Sequence, residues 1–217
     1  IHTVPTAVDS AFDFELGKLQ EYVQVMSLDG IAITNHNMFD RTQFELISHG
    51  LDIDVLPGIE INLGKGHALL IADNADLDDF TAKCDQVAQL VKVASDSINV
   101  AKLREIYGDL SKYLVIPHYD KNPSIDDESI TELGSDFIVG EVASAKKFLY
   151  ALNKDDSPTP ILCSDGRAKQ DWDFKNRQTF LDITDINIRS MRICFADKNK
   201  VSLSAAEGNH LVQATPD

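Results

Sequence analysis

The sequence predicts an α/β protein whose sheet is either open or closed into a barrel. Short apolar segments rich in β-branched residues alternate along the chain with longer segments whose apolar residues recur at spacings of three and four. In addition, most of the short segments end in a histidine or a carboxylate. Polar residues in such positions are typical of the rim where α/β sheets bind their ligands.

Seven short apolar segments have the length expected of buried strands. Their nearly continuous hydrophobicity is typical of a parallel sheet that helices cover on both faces. In chain order they are 30–34, 54–56 leading to 58–61, 67–72, 113–117, 137–142, 160–163 and 179–183.

Six longer segments are amphipathic and are predicted to be helices. In the first, Leu16, Leu19, Val23 and Met26 fall on one stripe, and in the second Asp40 stands where an N-cap is expected. The six are 14–26, 40–49, 77–94, 100–107, 145–153 and 186–196.

The composition restricts the class of protein. Twenty basic residues against 35 acidic ones give a formal net charge of −15, which excludes broad binding to nucleic acid or anionic membranes through the overall field. No apolar run reaches the length of a membrane span. Cys84, Cys163 and Cys194 are widely spaced, so neither a disulfide framework nor a cysteine zinc site is expected, and a reducing cytoplasm is the default location.

The polar residues at the strand ends predict a metal site. One histidine after a strand is more often structural than ligating, but four of the six histidines lie at strand edges together with two carboxylates. Nitrogen and oxygen donors without thiolate suit Zn²⁺, Mn²⁺ or Fe²⁺ better than Ca²⁺. The residues concerned are His2, His36, Glu60, His67, His118 and Asp165.

Six short motifs, in order, resemble those of the PHP family, which is named for polymerase and histidinol phosphatase. Ile1-His2-Thr3 is similar to the second half of its His-x-His-Thr motif, and Ile33-Thr34-Asn35-His36 resembles Thr-Asp-His. The others are Pro57-Gly58-Ile59-Glu60, similar to Pro-Gly-x-Glu; Gly66-His67; Ile116-Pro117-His118; and Cys163-Ser164-Asp165, similar to the start of Ser-Asp-x-His.

The resemblance implies a distorted TIM-like (β/α)7 barrel over residues 1–203, with 204–217 as a C-terminal tail or linker. It also implies two or three divalent ions. Glu60 would bridge two of them, with His2 and Asp165 on one ion and His67 and His118 on the other. A third ion would take His36 and an acidic residue after the first motif, for which Asp9 is the first choice and Asp13 the second.

Three positions depart from the family pattern. The first histidine of His-x-His would precede Ile1, so it is either trimmed off, as the start without a methionine suggests, or absent. Asn35 replaces an aspartate, and Arg167 replaces the final histidine. Because a guanidinium stays protonated, Arg167 cannot bind a metal. Together with Lys169 it is instead a candidate contact for a substrate phosphate, the alternative being a surface arginine.

The resemblance implies a metal-dependent hydrolase of a phosphomonoester, a nucleotide or a nucleic-acid end, with Glu60 and Asp165 as its catalytic carboxylates. The alternative is a degenerate, regulatory PHP module that binds metal or nucleotide without turnover. Segment 179–201 resembles the end of PHP domains that are fused to an ATPase, so an ATPase domain in the same parent chain is a possible partner. An amidohydrolase-type barrel, or a Cys163 nucleophile with His118 as base, is less compatible with these motifs.

Overall fold

The computed structural model describes residues 1–174 and 177–204, and it confirms an α/β fold. Seven helices and eight strands alternate over most of that length. The helices are α1 (Leu16–Met26), α2 (Arg41–Gly50), α3 (Leu77–Leu90), α4 (Val100–Tyr107), α5 (Asp127–Leu133), α6 (Ala145–Leu152) and α7 (Ile188–Phe195). The strands are β1 (Gly30–His36), β2 (Asp54–Leu63), β3 (Gly66–Ile71), β4 (Leu114–Asp120), β5 (Val139–Val142), β6 (Thr159–Ile161), β7 (Phe180–Leu181) and β8 (Val201–Ser202).

All six predicted helices are present, with small changes at their ends. Asp40 caps α2 as expected, because its carboxylate accepts a hydrogen bond from the amide of Gln43 at 2.9 Å. The third helix stops at Leu90 instead of continuing to residue 94. The prediction did not include α5, whose seven residues are too short to show a clear periodicity.

The main sheet has six strands in the order of the sequence. Strand β1 is parallel to β2, and β4, β5 and β6 are parallel to one another, whereas β3 is antiparallel to both of its neighbours. The expectation of an all-parallel sheet is therefore wrong for β3. The reason is a two-residue turn between β2 and β3, in which Gly64 has a φ of +59° that glycine adopts without strain.

The alternation of side chains divides the core into two clusters on opposite faces of the sheet. Val55, Ile59 and Ile61 of β2 pack with helices α1 to α4. Leu56 points to the other face, where it joins residues of β3, β4, α6 and α7. The other even-numbered residues of β2 therefore point to the same face as Leu56. We call this the second face of the sheet, and it also holds the site described below.

Over residues 1–174 and 177–204, the strand pairs do not close into a barrel. Strands β1 and β6 are the two edges of the six-stranded sheet, and the predicted seventh strand instead gives β7, which pairs with β8 in a separate two-stranded sheet. The first residues of the chain lie along the free edge of β1. The backbone nitrogen of Ile1 donates a hydrogen bond to the carbonyl oxygen of Ala32 at 3.1 Å, and the carbonyl oxygen of Ile1 accepts one from the amide of Thr34 at 2.9 Å. The amide of His2 donates to the carbonyl oxygen of Gly166 at 2.9 Å.

Two further expectations concern membrane-spanning helices and the C-terminal residues. Among residues 1–174 and 177–204, no helix has both the length and the apolar character that crossing a bilayer requires. The predicted tail or linker over 204–217 lies, apart from residue 204, outside the described residues.

Gly66, at the start of β3, lies directly beneath the chain that follows β4. A Cβ atom at this position would stand 2.3 Å from the carbonyl carbon of Ser124 and 2.4 Å from the amide nitrogen of Ile125. Both are backbone atoms, so neither can move away without a shift of the whole segment. The close approach places the segment after β4 over the first residues of β3.

We expect Gly66→Ala to lower the free energy of unfolding by about 1–3 kcal/mol, the usual cost of forcing extra volume into a packed site. Urea unfolding followed by circular dichroism measures the change. Gly17→Ala is the matched control, because no atom lies within 4 Å of a Cβ there and alanine favours the helix. Equal stability of the two variants would contradict the close approach at Gly66.

Candidate metal centre

A cluster of polar side chains lies on the second face of the sheet, next to the apolar residues of that face. Along β2, Glu60 has the same parity as Leu56, and along β4, His118 has the same parity as Ile116. The register then sets neighbours side by side: His36 of β1 pairs with Glu60, and His118 pairs with Glu141 of β5. Four strands thus bring their polar ends to one place.

His67 reaches the same place because β3 runs antiparallel. It opposes Asn62 near the end of β2, so the beginning of β3 lies beside the ends of β1, β2 and β4. Its Nδ1 lies 2.8 Å from Oε1 of Glu60. If β3 were parallel to its neighbours, its first residues would lie at the opposite end of the strands, away from Glu60.

His2 is fixed by the segment along the edge of β1. Beyond the backbone contacts of Ile1 and His2, the side-chain oxygen of Asn35 accepts hydrogen bonds from the amides of Thr3 at 2.6 Å and Val4 at 2.9 Å. Asn35, which departs from the family pattern, therefore holds the segment in place. An oxygen acceptor is what this position requires, and an amide provides it as well as a carboxylate does.

Glu60 is the centre of the cluster. Its residue is 2% exposed, and its two oxygens face different groups. Oε1 lies near His67 and within 3.4 Å of Nε2 of His118, whereas Oε2 lies 3.4 Å from Nε2 of His2. Burial alone would raise the pKa of this carboxyl, but hydrogen bonds from His2 and His67 lower it well below its usual value, so Glu60 is ionised at neutral pH.

Asp165 completes the side of the cluster that contains His2. Its Oδ1 lies 3.0 Å from Nε2 of His2. Burial acts to raise the pKa of Asp165, but the hydrogen bond to His2 and the charge of Lys121 lower it below its usual range. The backbone of Asp165 is left-handed with a φ of +49°, a conformation that aspartate tolerates better than most residues and that is often found at functional sites.

Several ring nitrogens of the cluster have no hydrogen-bond partner among the described residues. They are buried, and they are Nδ1 of His2, His36 and His118 and also Nε2 of His118, which lies 3.2 Å from Oε2 of Glu141 without the geometry of a hydrogen bond. Burial lowers the pKa of His36 to about 4, although the charge of Glu60 acts to raise it, so its imidazole is neutral at pH 7 and has a free lone pair. Buried nitrogen atoms that lack a proton donor or acceptor are unusual in proteins and are what a bound metal ion would satisfy.

Within the part of the chain that the structure describes, three groups of side chains are close enough to hold a metal ion. In each group the potential ligand atoms lie within 4.8 Å of one another. The groups are His2, Glu60 and Asp165; His36, Glu60 and His67; and His2, Asp9 and His36. Glu60 belongs to two of them, and Asp9, not the exposed Asp13, is the acidic residue that reaches the third.

Two residues that the sequence indicated only weakly belong to the cluster. Glu141 is 1% exposed, and its Oε2 lies 3.2 Å from Nε2 of His118. Lys121 lies between Glu141 and Asp165, at 2.8 and 3.3 Å. Burial would lower the pKa of Lys121, but these carboxylates raise it above its usual value, so the ammonium stays charged. The signal for Glu141 was its place at the end of a strand, whereas Lys121 gave none beyond its position near the rim.

The two predicted phosphate contacts differ in their surroundings. Arg167 reaches the cluster, where its Nε lies 3.0 Å from Oδ1 of Asp9 and one terminal nitrogen lies 3.6 Å from Asp165. Lys169 pairs with the exposed Asp171 at 3.1 Å. The structure therefore brings Arg167 to the candidate centre and places the ammonium of Lys169 in a surface ion pair.

Cys163 lies two residues before Asp165 on the same segment. Burial, with a further contribution from Glu141, raises the pKa of its thiol well above the usual value. A thiol that stays protonated is a poor nucleophile. This environment disfavours Cys163 as the nucleophile of a hydrolase.

A cavity of about 1010 Å³ opens beside the cluster. Its lining combines charged side chains of the site, such as Lys121 and Glu141, with apolar side chains of the second sheet face, such as Leu69 and Ile116. A concave space with a few converging polar groups is the usual form of a small-molecule site.

No family model matches the chain, and no curated protein matches it. The likeness to the PHP family therefore depends on the short motifs and on where their residues lie.

We expect divalent ions to stabilise the protein and chelators to reverse the effect. Zn²⁺ or Mn²⁺ at about 100 times its Kd should add about 2.7 kcal/mol per site, or about 5–10 °C in Tm for a domain of this size. Differential scanning calorimetry with and without EDTA measures it. Glu60→Gln should lose most of the shift, whereas Glu45→Gln, on the exposed side of α2, should keep it. An equal shift in both variants would place the ions elsewhere.

Proposed function

We propose that the chain is a metal-dependent phosphoesterase of the PHP type, which hydrolyses a phosphomonoester, a nucleotide or a nucleic-acid phosphate. Its centre would hold two divalent ions, Zn²⁺, Mn²⁺ or Fe²⁺, bridged by Glu60. His2 and Asp165 would bind one ion, and His67 and His118 the other. Nitrogen and oxygen ligands without thiolate fit these metals.

The observation that supports this proposal most directly is that the two carboxylate oxygens of Glu60 face different residues. One oxygen faces His67 and His118, and the other faces His2, which in turn contacts Asp165. A carboxylate that bridges two ions needs this arrangement, with separate ligands for each of its oxygens. A purely structural carboxylate would not need buried ring nitrogens without partners around it.

The chain's own residues suit phosphate ester hydrolysis. Two divalent ions, when bound, would activate water as a nucleophile and stabilise the charge on the transferred phosphoryl group. Lys121 and Arg167 flank Asp165 and place fixed positive charges where the anionic substrate would arrive. The ionised Glu60 and Asp165 keep their ligand oxygens free of protons. The adjoining cavity leaves room for the organic part of the substrate.

The same resemblance suggests the wider architecture. We propose that residues 1–3 form a short additional strand between β1 and the segment after β6. Backbone contacts of Ile1 and His2 with Thr34 and Gly166 support such a closure. The resulting domain would be the distorted seven-stranded barrel of the PHP family, in a cytoplasmic protein that also contains an ATPase domain.

One observation favours the alternative of a regulatory module. Two protein cations already neutralise carboxylates of the cluster: Lys121 contacts Glu141 and Asp165, and Arg167 contacts Asp9. If they prevent metals from binding productively, the domain would bind metal or nucleotide without turnover. Metal content without hydrolysis would identify this case.

Hydrolysis of p-nitrophenyl phosphate, bis-p-nitrophenyl phosphate and nucleotides, measured with added Mn²⁺ or Zn²⁺, tests the proposal. We expect Glu60→Gln and His118→Ala to lower kcat/KM by more than about 100-fold, because even loss of a residue next to a metal ligand costs up to that much. Asp165→Asn should have a similar effect.

Two controls distinguish the site from general damage. Asp171→Asn, on the exposed residue that pairs with Lys169, should leave kcat/KM unchanged. Cys163→Ser should retain hydrolysis, because the protonated thiol takes no part in it. The phosphoesterase proposal is lost if His118→Ala and Asp165→Asn keep the activity of the unmodified chain, or if no ester is hydrolysed with any of the metals.

A further inference from the structure

Asp9 differs from the other carboxylates of the cluster because its hydrogen-bonding capacity is already used. Its side chain is 0% exposed. Oδ1 accepts from Nε and a terminal nitrogen of Arg167, at 3.0 and 2.5 Å. Oδ2 accepts from the amide and the hydroxyl of Thr6, both at 3.1 Å. Four donors occupy the lone pairs of this carboxylate, so none is left for a metal ion.

The oxygen that a metal ion would need is the one Arg167 takes. In the group formed by His2, Asp9 and His36, it is Oδ1 of Asp9 that faces Nε2 of His36, at 3.9 Å. By contrast, Lys121 contacts Oδ2 of Asp165 at 3.3 Å, and Oδ1 of Asp165 lies closer to Nε2 of His2, at 3.0 Å, than to Arg167, at 3.6 Å. Arg167 therefore occupies the Asp9 group through hydrogen bonds, whereas it makes no such hydrogen bond to a side-chain oxygen of the Glu60 groups.

Arg167 is held in this place by its backbone. It follows Gly166, whose carbonyl accepts from the amide of His2, and it forms a β-bridge with His2. A side chain at position 166 would collide with Trp172, because a Cβ there would lie 2.2 Å from its ring. The guanidinium thus stands next to the cluster in a fixed position, and its charge is permanent.

We infer that Arg167 takes the place of a third metal ion, so the chain binds two ions and uses a guanidinium as the third positive charge. The inference rests on the proposed two-ion centre. Because the Arg167 side chain is 30% exposed, its remaining N–H groups can contact a phosphate oxygen of the substrate while Asp9 holds the other side.

Metal stoichiometry tests this directly and does not depend on activity. Wild-type protein equilibrated with Mn²⁺, desalted and analysed by inductively coupled plasma mass spectrometry should contain two ions per chain. Arg167→His frees Oδ1 of Asp9 and adds an imidazole, so its content should rise to three. Arg189→His, on the exposed face of α7, is the matched control and should stay at two.

Asp9→Asn provides an independent measurement if Arg167→His fails to fold, as judged by circular dichroism. The content of this variant should remain at two, since Asp9 binds no ion in the wild-type chain. A wild-type content of three that falls to two in Asp9→Asn would overturn the inference, as would a folded Arg167→His protein that still binds two. Absence of metal from every variant would refute the two-ion centre itself and the inference with it.

Discussion

The burial of one carboxylate, Glu60, is the constraint on which the site depends. An ionised carboxylate that is removed from water is costly unless positive or hydrogen-bonding groups surround it. Glu60 is 2% exposed, and its neighbours come from four separate parts of the chain: residue 2, the end of β1, the start of β3 and the end of β4. Those four parts must meet around the carboxylate of Glu60. Burying it therefore requires both that β3 runs antiparallel and that the first residues of the chain dock along β1.

Local hydrogen bonds provide the precision that this convergence needs. Asn35 binds two successive amides of the first segment, and Asn37 and Asn62 bind each other across β1 and β2, with distances of 3.0 and 2.8 Å. Each amide side chain satisfies backbone or side-chain groups just beside a cluster histidine. These hydrogen bonds lie beside buried ring nitrogens that have no hydrogen-bond partner among the described residues.

Much of this could be predicted from the sequence because it is local. Apolar periodicity located the strands and helices, and polar residues at strand ends indicated His36, Glu60 and His118. The direction of β3 depends on a turn of two residues, although Gly64 between two apolar runs was a signal for it. The pairing of Arg167 with Asp9 joins positions 158 apart, which no local pattern reveals. Lys121 lies outside any motif and becomes part of the site only because β4 ends beside Glu141.

The charges of the cluster decide which ligands can enter it. Glu60, Glu141, Asp165 and Asp9 contribute four negative charges, whereas Lys121 and Arg167 contribute two positive ones, in a chain whose net charge is already −15. The carboxylates therefore outnumber the lysine and arginine of the cluster, and this excess of negative charge repels a phosphate. Two divalent ions would reverse its sign. Lys121 and Arg167 lower the repulsion among the carboxylates before any ion arrives, and their charges would make a metal-loaded cluster more attractive to an anionic ester.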